Sequence, residues 1–245
     1  IFKEWPDNVA AVIMEPMNVS EPEDDFLQKV KEMAHKNGAV FIFDETITGF
    51  RFANGGAQEY FGVIPDLATF GKGLANGYPL SVLAGKAEIM RLVEDIFFSF
   101  TFGGETLSLA AALATMTKLQ KEPVIKTLWS QGEKVVEGTN ALIEKHDLKD
   151  VLSTGGKACW SFLLFRDTDV YSQWELKTFF LQEVFARGIL TVGTHNMSYA
   201  HSDGDIERLL QAYNEVFAII KEVLVKGNLK AWLKTYPLVP LFRIR

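Results

Sequence analysis

Asp44 and Glu45 close an apolar run, Phe41-Ile42-Phe43, that reads as a strand entering a core. Two adjacent carboxylates are a costly way to end a buried strand, because desolvation penalises the ionised form. Their presence asks for a cation nearby. Further along, Lys72 lies between Gly71 and Gly73, with Asn76-Gly77-Tyr78-Pro79 close behind. A surface lysine needs no flanking glycines. An amine that must meet a bulky ligand does, since absent side chains let the backbone approach. On this stretch alone, an exposed lysine in a glycine-rich turn is the plain alternative. A nucleotide phosphate loop fails on spacing: the GxxxxGK[ST] pattern would need a glycine in place of Asp66 and a hydroxyl in place of Gly73.

The chemistry that fits is Schiff-base formation. Such an amine must lose its charge readily, which partial burial and cationic surroundings promote. Its aldehyde partner in enzymes is most often pyridoxal phosphate (PLP), whose protonated ring nitrogen needs an anionic neighbour, usually a buried aspartate. Asp44 at a strand end would supply that neighbour, each charge offsetting the other's desolvation.

The surrounding pattern predicts elements able to position these groups. Val9 to Met14 reads as a buried strand. A helix follows, with Asp24 or Asp25 as cap, Phe26, Val30, Met33 and Ala34 on one face, and Gly38 as a left-handed stop. Val40 to Phe43 is the next strand, so the unit is βαβ and the sheet parallel. Ligands gather at the carboxyl ends of such strands, where Glu15 and Asp44 fall. Residues 67–71, 80–85, 97–102 and 158–165 read as further strands or strand ends. Helices are predicted over 105–120, from 124 to about Lys145, over 175–188 and over 203–226. The fold class is α/β: a larger sheet-based part over 1–123 and a smaller α/β part over 124–245.

Composition narrows the function. The formal charge of −6 and the lack of any basic stripe give no reason to expect nucleic acid. Cys159 is the sole cysteine, which rules out an intramolecular disulfide or a CxxC site and suits a reducing, cytoplasmic compartment. No apolar stretch reaches membrane-spanning length, and the first residues do not form a signal peptide. Four scattered histidines show no metal-ligand spacing. His35 and His146 are expected to face solvent; His195 and His201 flank Asn196-Met197-Ser198-Tyr199-Ala200 as loop residues or substrate contacts. Arg51 reads as half of a structural ion pair.

Three stretches, "DETITGFR" (44–51), "PDLATFGKGLANGYP" (65–79) and "TFGGETL" (101–107), resemble the class III (ω-type) PLP-dependent aminotransferases, most of all the branch containing glutamate-1-semialdehyde 2,1-aminomutase. The family patterns are DEv-x-TGFR, PDl-x-x-x-GK and T-[FY]-x-G-NP-l, and "AAVIMEP" and "NMSYAHSDGDIERLLQA" add to a likeness along essentially the whole chain. The resemblance implies a fold-type-I transferase with PLP as cofactor. It makes Lys72 the imine-forming lysine, Asp44 the ring-nitrogen aspartate, and Glu45 a structural, hydrogen-bonding neighbour. Thr101 becomes the residue that reaches the cofactor phosphate of the neighbouring subunit in a homodimer, a role its flanking glycine amides suit. A plain strand threonine is the alternative there.

Two departures stand out. Thr46 takes the place of the usual valine that packs on the cofactor ring, keeping its shape and adding a hydroxyl, and Glu105-Thr106 replace the usual Asn-Pro. Glu15 and Asn18 lie near the site by analogy only, Glu15 as a structural residue. The family's phosphate-cradling turn and ring-stacking aromatic match positions upstream of Ile1, so the sequence reads as the C-terminal part of a longer enzyme. The expected activity is amino-group transfer between an amine or amino-acid donor and a carbonyl acceptor. A 2,1-aminomutase, an inactive truncated homologue, and a decarboxylase or racemase on the same scaffold are the alternatives.

Overall fold

A computed structural model describes residues 1–239. The chain divides into two compact units, Ile1–Lys126 and Thr127 onward. In the first, β1 (Ala11–Met14), α1 (Phe26–Lys36) and β2 (Val40–Asp44) form the expected βαβ turn. Then come α2 (Gly56–Phe61), β3 (Leu67–Phe70), β4 (Val82–Gly85), α3 (Ala87–Met90) and α4 (Thr106–Lys121). The sheet order is β1-β2-β3-β4. The first three strands are parallel, and β4 returns antiparallel on β3.

Strand polarity follows from the side chains. Phe41 and Phe43 point to one face, are fully buried and meet edge to face, 4.9 Å between centroids. Leu27 and Ala34 of α1 cover that face with Ala39, Val63 and Ala68. The buried stripe of α1 therefore runs through Leu27 and Ala34, rotated from the expected one: Phe26 and Met33 are about half exposed. Asp24 and Asp25 both adopt left-handed backbone, and Asp25 as N-cap makes no side-chain capping bond.

Residues 97–102 correct a second expectation. Their alternating phenylalanines read as a strand, yet they form loop and turn, with Phe97, Phe98, Phe100 and Phe102 exposed. Alternation supplies faces but no partner, and among the described residues no strand pairs with this segment.

α5 (Val124–Lys145) begins at the end of the first unit and runs into the second, where β5 (Leu152–Lys157), β6 (Trp160–Phe165), α6 (Gln173–Ala186), β7 (Thr194–Asn196), α7 (Asp203–Lys226) and α8 (Leu229–Trp232) follow. β5, β6 and β7 form an antiparallel sheet in that order. Phe179 and Phe180 of α6, Tyr213 and Phe217 of α7, and Leu152 and Leu163 of the sheet fill one core. Ser172 with Glu175, and Ser202 with Asp205, cap α6 and α7 reciprocally. β5 escaped the sequence because Gly155-Gly156 inside it reads as a turn; Lys157 pairs with Trp160 across a two-residue hairpin loop.

Gly132 in α5 marks a close approach: a Cβ there would stand 1.8 Å from the Ala158 carbonyl oxygen. Helix propensity alone favours alanine at a helix interior by roughly 1 kcal/mol. Backbone overlap outweighs it, so Gly132→Ala is expected to cost about 2 kcal/mol of stability, read by urea unfolding. A stabilised variant would show that the hairpin yields. Among the described residues no helix is long and apolar enough to cross a membrane.

Candidate functional site at the carboxyl ends of two parallel strands

The site follows from strand register. β2 and β3 run parallel with Asp44 opposite Thr69, so both chains leave the sheet at the same end. Immediately beyond, the Glu45 amide donates to the Thr69 carbonyl at 2.9 Å, and Lys72 opens a 3-10 turn, Lys72–Leu74, after Gly71.

The adjacent carboxylates meet opposite fates. Glu45 is 1 % exposed. It accepts from the Thr48 hydroxyl at 2.8 Å, the Ala57 and Gln58 amides at 2.6 and 2.9 Å, and Gln58 Nε2 at 3.2 Å. Its donors are neutral and belong largely to the first turn of α2. Asp44 is only half buried. Its Oδ1 accepts from the Thr46 amide at 3.0 Å and the Thr69 hydroxyl at 3.2 Å. The Thr46 side chain, foremost, holds the Asp44 carboxyl below its usual range; partial burial opposes it, while the Thr46 amide, Thr69 and the nearby Lys72 charge add to the lowering. Asp44 is therefore ionised at neutral pH, with a lysine amine within electrostatic reach.

Lys72 is exposed and has φ of +40°, left-handed backbone that a non-glycine residue adopts at a cost of roughly 1 kcal/mol or more. Strain of this kind persists where surroundings impose it. Lys72→Gly is expected to be about 1 kcal/mol more stable than Lys72→Ala, compared by thermal unfolding, since only glycine relaxes there without penalty. Equal midpoints would place the strain elsewhere.

Thr46, Asp44 and Lys72 thus converge, with the Thr46 methyl 3.4 Å from where a Cβ on Gly71 would lie. Thr101 does not belong to this hydrogen-bonded set. It is exposed on the turn 101–104 ahead of α4. Glu105, the departure from Asn-Pro, caps α4 by accepting from the Leu107 and Ser108 amides at 2.8 and 2.7 Å. Glu15 and Asn18 are exposed and bonded to each other at 3.1 Å. A cavity of about 680 Å³ lies by Phe50, Gln58, Leu67, Phe70, Gly85 and Lys86; neither Asp44 nor Lys72 lines it.

The histidines correct the sequence reading. His35 is not simply solvated: Nε2 lies 2.8 Å from Asp66 Oδ2, and Lys86 holds the other oxygen at 2.7 Å. His146 bonds Asn214 at 2.9 Å. His195 is in β7, 5 % exposed, 2.9 Å from both the Ser161 and Tyr213 hydroxyls. It is a buried strand residue rather than a loop residue. His201 accepts from the Ser198 amide. Among the described residues no group of three or more His, Cys, Asp or Glu is placed to hold a metal ion.

A mostly parallel sheet with a carboxylate and a lysine at one end matches a known class. Residues 1–201 match the family model for class-III aminotransferases, and the chain belongs to that family. It is 38 % identical over 224 residues to a glutamate-1-semialdehyde 2,1-aminomutase of Methanococcoides burtonii, covering 84 % of this chain and 53 % of that protein. To glutamate-1-semialdehyde 2,1-aminomutase 2 of Lachnoclostridium phytofermentans it is 39 % identical over 178 residues, 69 % of this chain and 42 % of that one. Among solved structures, the PLP form of the FumI protein of Sphingopyxis sp. MTA144 superposes with a TM-score of 0.81 at 26 % identity, covering 91 % of this chain and 55 % of that one. The β-phenylalanine aminotransferase of Variovorax paradoxus shares the fold, with a TM-score of 0.76 at 24 % identity over 92 % of this chain and 54 % of that one. The fold is that of fold-type-I PLP-dependent transaminases, and the chain spans about half the length of the relatives it matches.

Proposed function

We propose that this chain supplies the lysine and the ring-nitrogen carboxylate of a PLP-dependent aminotransferase that moves an amino group between an amine or amino-acid donor and a carbonyl acceptor. Class III aminotransferases use pyridoxal phosphate. The observation that carries the reading is the placement of an ionised Asp44 and the Lys72 amine at one end of adjacent parallel strands. The donor set fits the cofactor: a carboxylate that stays anionic suits a protonated ring nitrogen, and a glycine-flanked amine suits an aldehyde.

When bound, pyridoxal phosphate supplies a cationic ring that withdraws electrons from the substrate carbon. Asp44 would hold the ring by its nitrogen and keep that nitrogen protonated. Lys72, when neutral, would take a proton from the substrate carbon and hold it for return, acting as general base and then general acid. The Thr46 methyl, beside Gly71, would bear on the ring face. Thr101 would reach a cofactor phosphate in a second copy of the chain; its exposure amid Phe97, Phe98, Phe100 and Phe102 suits a homodimer surface. A cytoplasmic enzyme fits the single cysteine, Cys159, which is buried.

A second reading, a 2,1-aminomutase moving nitrogen between adjacent carbons of one molecule, is favoured by the aminomutases of Methanococcoides and Lachnoclostridium. Product analysis separates the two. With PLP, an amino donor and a keto acceptor, transfer leaves a keto product from the donor, whereas an aminomutase gives an isomer and consumes no second substrate. Neither product from PLP-loaded protein would overturn both.

A further inference from the structure

We propose that the Thr46 and Thr69 hydroxyls are positioning residues that clamp Asp44 from two neighbouring strand exits, so that its carboxylate stays anionic when Lys72 gives up its charge. The inference rests on the functional reading above and concerns how the two groups are kept independent.

The geometry is local and specific. Thr69 is the cross-strand partner of Asp44, and its hydroxyl donates to Oδ1 at 3.2 Å. The Thr46 amide donates to the same oxygen at 3.0 Å. Thr46 has a stiff, branched side chain whose methyl faces Gly71 and whose hydroxyl helps to hold the Asp44 carboxyl below its ordinary range. Valine at 46 would keep the methyl contact and lose only the hydroxyl; valine at 69 would likewise keep the strand shape.

The clamp answers a conflict built into the site. A base at Lys72 works only when neutral, yet a carboxylate kept ionised mainly by Lys72 would take up a proton as that charge left. Here the neutral donors come before the Lys72 charge among the influences that favour ionised Asp44, and burial works against them. Asp44 therefore stays anionic through groups that do not titrate.

The test is a carboxyl-carbon NMR titration of the full chain labelled with carbon-13 aspartate, the Asp44 signal assigned by its loss in Asp44→Asn. Thr46→Val and Thr69→Val should each raise the Asp44 midpoint by about half a pH unit or more, and Thr46→Ser should restore it. Lys72→Met should move it less than Thr46→Val does. With added PLP, the visible absorbance band should persist in the valine variants, its acid limb displaced upward with Asp44. Unchanged midpoints in both valine variants, or a larger shift in Lys72→Met, would overturn the clamp. A wild-type chain that forms no band overturns the functional reading instead, and the NMR midpoints tell the two failures apart.

Discussion

Lys72→Ala should fold normally, form no covalent visible-absorbing complex with pyridoxal phosphate, and lose on the order of 10⁴-fold in turnover. Two losses combine in that figure. A positioned proton-transfer group contributes roughly 10²- to 10⁴-fold, and the nucleophile that anchors the cofactor disappears with it. Folding should survive because Lys72 is exposed and its backbone is strained, so its removal opens no cavity in a core. Lys72→Arg sharpens the test. It keeps a positive charge near Asp44 but cannot deprotonate at accessible pH, so it should be as inactive as the alanine variant while the Asp44 environment is preserved. Spectra of the three proteins titrated with PLP decide the matter. A band of wild-type intensity in either variant would assign the amine elsewhere.

That Asp44 leaves a parallel sheet at its carboxyl end was legible because two short apolar runs, Val9 to Met14 and Val40 to Phe43, flank one helix and so form a βαβ unit. The place of Lys72 beside it rested instead on the chemistry of its glycine-flanked amine and on the family resemblance. The final helix was legible for a similar reason: its apolar positions keep helical spacing between an acidic start and Gly227, and α7 spans the expected Asp203–Lys226. What stayed hidden depends on partners distant in sequence. The Glu45 cage draws donors from Ala57 and Gln58, and it closes only because Gly56, at φ +82°, has no Cβ to strike the carboxylate. Thr69 reads as any strand threonine until the register sets it against Asp44. Residues 97–102 show the converse error: a faultless alternation without a neighbouring strand stays exposed. His195, read from sequence as a loop residue or substrate contact, gave no sign that Ser161 and Tyr213 would bury it.

That burial sets the second large effect. Enclosure pushes His195 down from its ordinary value of 6.5 to about 4. Protonation need not break its hydrogen bonds, since the Ser161 and Tyr213 oxygens can both accept; the penalty is a charge without a counter-ion in a core. A base with a lowered folded-state pKa binds fewer protons folded than unfolded, so its contribution is complete above pH 6.5 and drains away as pH falls through 4. At 1.36 kcal/mol for each pKa unit, the loss between pH 7 and pH 4 is about 3 kcal/mol. His195→Gln keeps polar atoms near the two hydroxyls and cannot titrate. Urea unfolding at both pH values should show wild type losing about 3 kcal/mol more than the variant. The variant should begin less stable at pH 7, because an amide fills the imidazole site poorly, and the two stabilities should draw together in acid. Parallel losses in the two proteins would mean that carboxylates such as Asp66, pulled down to about 2 by Lys86, the Phe41 amide and His35 against the opposing effect of burial, dominate the acid response instead.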